Sequence, residues 1–178
     1  MMEPSALLPL DNPFWQFSLR VYAVPEAATE CLDLQRVCSV NVNVLLFCSW
    51  IAVSRRVVLT VGDIGAIESE IRGWHASAVL PLREIRDRLK PLPEMRHPEV
   101  QAFRRRILAS ELDAEQIEQA LIFCRAGRLP MQHGTGAIRD VMAGNIDLLC
   151  RLAPVSKLRD TPVSVSALIE ASLTIGRD

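Results

Sequence analysis

The chain reads as an all-α protein: a single-domain helical bundle of about seven helices, with a buried central helix at 42–53 and a long antiparallel helical hairpin at 63–126. Three observations predict this. First, VNVLLFCSWIAV at 42–53 is apolar on every side apart from Asn43 and Ser49, and a helix that is hydrophobic all round belongs inside a domain. Second, Ile64, Ile67, Ile71, Trp74, Ala78, Leu82, Ile85 and Leu89 recur in steps of three and four, as do Val100, Phe103, Ile107, Ser110, Ala114, Ile117, Leu121 and Cys124. That is the helical period, so both stripes are expected to face inward. Third, PLPEMRHP at 91–98 forces a short turn between them, which folds the two arms back on each other.

The elements follow in order. Residues 1–11 read as a flexible tail. Asn12 before Pro13 is a cap and first-turn signal for a helix through FWQFSLRVYA, because proline lacks only an N–H that would be unpaired there anyway. Pro25 opens a second helix with acidic residues early, which suits the helix dipole. Asn41 and Asn43 are alternative caps for the central helix, and an Asn43 inside the bundle would need partners for its amide. Arg55 and Arg56 close that helix, and Val57–Leu59 reads as linker for want of a second strand. Pro81 lies inside the first arm of the hairpin, where it removes a hydrogen bond and clashes one turn back, so a kink is expected near 77–81. The second arm reads as one helix to 126, although Asp113 with Gln116 resembles a capping box that would split it. Residues 127–178 supply C-terminal helices, one after HGTG at 133–136 with Ile138, Val141, Met142, Leu149 and Leu152 inward and Pro154 as its stop. The last helix follows Thr161 and Pro162.

Composition narrows the function. At 178 residues with 49% hydrophobic content the chain can bury a core without disulfides or metal, and a formal charge of -1 argues against general binding to nucleic acid or anionic membrane. Five scattered cysteines with no CxxC and no zinc spacing suit a reducing cytoplasm and no metal or cofactor. The N-terminus lacks a basic segment and a long apolar core, and the run at 42–53 is short of a membrane span, so a cytoplasmic protein is expected.

Charge is the most site-like signal. From Arg72 to Arg106 nine Lys/Arg face four acids, a local +5, whereas residues 107–123 carry Glu111, Asp113, Glu115, Glu118 and no base. Arg72, His75, Arg83, Arg86 and Lys90 share one helical face, about 100° round from the apolar stripe. Guanidinium groups on such a face suit an acidic protein partner, or a phosphate or carboxylate. Trp74 and His75 are candidates to line a ligand pocket there, and Asn43, the interior polar residue, is a candidate anchor. HGTG matches neither phosphate-loop pattern and reads as an ordinary glycine-rich turn. With no serine elbow and no paired carboxylates, no catalytic residue is assigned.

FWxFSLxVY with Pro25, Leu34 and Gln35, VNVNVLLFCSWIA at 40–52, Trp74, and PLRxIRxxLK at 81–90 together resemble a family of proteobacterial proteins known only as a domain of unknown function, over about residues 13–126. The resemblance implies no activity or cofactor. The leading expectation is a non-enzymatic interaction or regulatory protein that offers Arg83, Arg86 and Lys90 to an acidic partner. The alternative is a binder of, or enzyme acting on, a small anionic or acyl-type ligand in an inter-helix pocket.

Overall fold

In a computed structural model of the protein, residues 7–129, 132–153 and 163–176 are described. The helices are α1 (Pro13–Tyr22), α2 (Pro25–Cys38), α3 (Val42–Arg55), α4 (Val61–Trp74), α5 (Leu80–Leu89), α6 (Pro98–Ala126), α7 (Ile138–Leu152) and α8 (Ser166–Ile175). A π-helical turn, His75–Val79, joins α4 to α5 as one bent rod, so the described residues build seven rods and the fold is all-α. The expected stop at Pro154 and the cap at Thr161 lie outside the described residues.

α3 is the axis. Every residue from Asn43 to Ala52 is buried, and α1, α2, α6, α7 and α8 all pack on it. Phe14, Phe47 and Trp50 meet with ring centroids 5.4–5.9 Å apart, and Phe123 of α6 adds a fourth ring 5.7 Å from Trp50. One core cluster runs from Phe14 through Met142 and Leu149 to Leu168, so the C-terminal helices share it.

Local chemistry sets the ends. The Asn12 side chain accepts from the Trp15 N–H, as the cap reading expects. Asn41 is the cap of α3, accepting from the Asn43 N–H, which leaves Asn43 inside the bundle. α4 starts at a capping box of Thr60 and Asp63 that the sequence reading passed over. α6 is continuous over 29 residues, and the Asp113–Gln116 pair does not interrupt it.

Three expectations are corrected. Val57–Val58 is not linker: it pairs antiparallel with Gln132–His133, a two-stranded patch whose second strand comes from the HGTG segment. There Gly134 donates to the Arg56 carbonyl, and a Cβ on it would sit 2.9 Å from both Val58 and Val141, so the turn needs glycine. Second, Leu152 at the end of α7 is exposed and a polar residue, Asn145, is buried in its place. Asn145 accepts from the Leu59 N–H and donates to the Val57 carbonyl, tying the strand to α7. Third, the apolar stripes do not run inward throughout. Ile85, Phe103 and Ser110 are exposed, while Val79, Glu111, Glu118 and Gln119 are buried.

The π turn accounts for the change along the first arm of the hairpin. The Leu80 N–H donates to the carbonyl of His75, five residues back, because Pro81 has no N–H to continue the ordinary ladder. A π turn inserts one extra residue, which rotates everything after it by about 100°. The face carrying Arg83 and Arg86 therefore swings in against α6, and Ile85 swings out.

Candidate functional site

Glu118 is the centre of a buried polar network where α3, the π turn and α6 meet. Its side chain is fully enclosed. One carboxylate oxygen accepts from Asn41 Nδ2 at 2.8 Å and Asn43 Nδ2 at 2.9 Å, and the other takes His75 Nδ1 at 2.8 Å. Burial opposes the charge on Glu118, but the hydrogen bonds from His75, Asn43 and Asn41 outweigh it and hold the carboxyl below its ordinary range. With its amide N–H given to Glu118, Asn43 turns its carbonyl to Gln119 Nε2 at 2.8 Å. That leaves Gln119 Oε1 buried and without a partner.

A second network lies one turn earlier on α6. Arg83 donates to Glu111 at 3.2 Å and to Glu115 at 2.6 Å. Arg86 makes an ion contact with Glu111 at 2.8 Å and donates to Asp87 at 3.1 Å. Burial would lower the pKa of Arg83, but Glu115 and Glu111 more than compensate and raise it. Burial raises that of Glu115 against the pull of Arg83.

Between the two networks and α1 opens a cavity of about 350 Å³. Trp15, Ser18, Leu19 and Tyr22 of α1 form one wall, Leu32 and Gln35 of α2 another, and Val42, Asn43 and Leu46 of α3 the floor. α5 contributes Arg83, Arg86 and Asp87, and α6 contributes Leu108, Glu111, Leu112, Glu115 and Gln119. The lining is thus apolar on the α1 and α2 side and polar against the hairpin. Ser18 Oγ, like Gln119 Oε1, is buried without a partner.

Of the residues singled out from sequence, Asn43, Arg83 and Arg86 line this cavity. Trp74 and His75 do not. The Trp74 indole N–H donates across the hairpin to the Ala114 carbonyl at 2.8 Å, and His75 is held by Glu118. Lys90 is exposed at the far end of α5, away from the cavity. Missed altogether were Ser18, Asn41, Glu115, Glu118 and Gln119 as site residues. The signal existed: Glu111, Glu115, Glu118 and Gln119 lie at offsets of 0, 4, 7 and 8, one helical face opposite a basic arm.

The buried thiols are not poised for chemistry. Burial pushes Cys31 and Cys150 up to about 12 and raises Cys48 as well. Among the described residues no group of three or more His, Cys, Asp or Glu could hold a metal, and no helix is long and apolar enough to cross a membrane. Residues 13–122 match the model of a family described as a protein of unknown function, DUF2390. No curated protein and no solved structure matches the chain.

Proposed function

The chain belongs to the DUF2390 family, and from its geometry we infer that it is a binding protein for a small amphipathic molecule held in the cavity between α1, α2, α3, α5 and α6. One observation carries this reading. A cavity of about 350 Å³ sets apolar Trp15, Leu19 and Leu46 against polar Asn43, Arg83 and Gln119. An apolar wall with a few convergent polar groups is the usual make-up of a small-molecule site. The reading is binding rather than catalysis, since no histidine lies beside Ser18 in the lining. All five cysteines are free, which supports a reducing, cytoplasmic setting.

The test is titration with 1-aminoanthracene, a fluorescent apolar probe. Wild type should bind it saturably at one site, and Leu19→Trp, which adds bulk to the cavity from a half-exposed position, should abolish binding while the far-ultraviolet spectrum stays unchanged. Equal binding by both proteins would end the pocket reading.

A second reading rests on the hairpin tip, where Leu92, Phe103, Lys90, Arg96 and Arg105 are all exposed. An acidic protein partner would meet that surface. Arg83 and Arg86 would not take part, because Glu111, Glu115 and Asp87 already hold them.

A further inference from the structure

Resting on the second reading, that an acidic protein partner meets the hairpin, we propose that the partner docks as an acidic amphipathic helix. It lies along one apolar face of the α5–α6 arm, over Ile85 and Phe103 and beside Arg88 and Arg106.

The face follows from the geometry of the hairpin. Arg104 Nε donates to the Arg86 carbonyl at 3.1 Å, so these two positions look at each other across it. One step back along a helix turns by about 100°. Because the two helices run antiparallel, the step from Arg86 to Ile85 and the step from Arg104 to Phe103 lead to the same side. Leu82 and Leu89 of α5, with Val100 and Ile107 of α6, fall on that side as well. The two apolar stripes of the arm therefore do meet, but in an open face. Ile85 and Phe103 are each 44% exposed, and the other four are half-buried. One step forward from Arg86 and from Glu111, Asp87 and Leu112 line the cavity beneath α1, so the body of the molecule lies on the opposite side. Residues 80–110 are all described and all at least partly exposed, which sets this arm clear of the core.

Charge names the occupant. Arg83 and Arg86 are neutralised by Glu111 and Glu115. The rest of the stretch from Leu80 to Arg106 holds six Lys/Arg against four acids, a net +2, in a chain whose formal charge is -1. Two of those cations, Arg88 and Arg106, lie two steps beyond a facing position and so border the apolar face. Arg106 sits 5.8 Å from the Phe103 ring, and Arg88 is held only by exposed Glu84, a surface pair worth little. An apolar strip with a cationic border suits a helix with apolar residues at three- and four-residue spacing and acids on its flank. Leu82 to Leu89 spans two turns, about 11 Å, which two to three turns of such a helix would cover. A second copy of this chain would bring an arm of the same sign. A nucleic acid, held by its phosphates, has no use for Ile85 and Phe103.

Fluorescence anisotropy with three labelled peptides of about five helical turns tests this. One is a helix with a leucine stripe flanked by glutamates, the second has the same composition scrambled so that no stripe forms, and the third has lysine for every glutamate. The striped acidic peptide should bind saturably, with the other two roughly tenfold or more weaker. Phe103→Glu, and independently Ile85→Glu, should cut its affinity roughly tenfold while the far-ultraviolet spectrum stays unchanged, since both positions are exposed. Leu19→Trp, which fills the cavity, should leave it unchanged. Equal binding of the striped and scrambled acidic peptides, unaffected by Phe103→Glu, overturns this inference and leaves the acidic-partner reading standing. No binding by either acidic peptide overturns both. Phosphatidylglycerol vesicles, single-stranded RNA or a second copy of the chain bound in place of the peptide, and lost in Phe103→Glu, would give the face to another occupant and overturn the inference too.

Discussion

Replacing Glu118 should be the most damaging single change to the polar interior, and its size can be worked from the partners. Glu118→Leu removes three hydrogen bonds of 2.8–2.9 Å to a buried carboxylate, and bonds to a charged group are worth about 1.5–3 kcal/mol each. Not all of that is lost. Asn41 and His75 are half-buried and can turn to water, whereas Asn43 is buried and strands its amide. The expected cost is about 3–5 kcal/mol, the range for breaking a buried charged network by removing one partner. Glu118→Gln keeps an acceptor for Asn41 and Asn43 and can offer its N–H to His75 in the other tautomer, so it should cost only about 1–2 kcal/mol. Urea unfolding at neutral pH, followed by tryptophan fluorescence, reads both. The pair Glu118→Leu and Asn43→Ala should also cost less together than the sum of the two alone, because they remove one shared interaction. A Glu118→Leu variant as stable as wild type, or strict additivity in the cycle, would refute the network as a structural unit.

Other expectations follow from the same contacts. Glu118 is held below its ordinary carboxyl range, so the stability it contributes is complete above the unfolded value and lost as pH falls through the folded one. The advantage of wild type over Glu118→Gln should therefore shrink below about pH 4, read from urea midpoints down to about pH 3. Raised Glu115 works with the opposite sign and is common to both proteins. Asn145→Leu leaves the Leu59 N–H and the Val57 carbonyl without their partner and should cost about 2–4 kcal/mol by thermal unfolding. Gly134→Ala drives a methyl to 2.9 Å from Val58 and Val141 and should cost about 1–3 kcal/mol in the same assay. Arg83→Ala takes the cation from Glu115 and one of two from Glu111, and should cost about 3 kcal/mol in urea, against less than about 0.5 kcal/mol for exposed Lys90→Ala.

What could be read in advance divides along physical lines. Helix positions depend on period, proline and caps, all local signals. Hence the all-α fold, the buried run at 42–53 and the unbroken α6 were legible. The expected kink came out as a π turn at 75–79, close to its predicted place, but its consequence was not foreseen. A straight-helix projection puts Arg83 and Arg86 on a solvent flank, whereas one inserted residue turns them inward against Glu111 and Glu115. That is why the cationic face predicted for an acidic partner is largely spent inside the molecule. The Val57–Val58 pairing was illegible for a different reason, since its partner strand is two residues long and lies far along the chain. Asn43 was recognised as either cap or anchor, and the hydrogen bond from its own N–H to Asn41 decides for the interior role. Ser18 carries no sequence signal of its own, because an orphaned oxygen exists only once the neighbours are in place.

The central claim, that the cavity beneath α1 holds a small amphipathic molecule, is tested most directly by native mass spectrometry of the protein purified from its own host. The account predicts a species heavier than the 178-residue chain by one small molecule, and loss of that species in Leu19→Trp. Bare chain alone in wild type, or an adduct retained in Leu19→Trp, would contradict it.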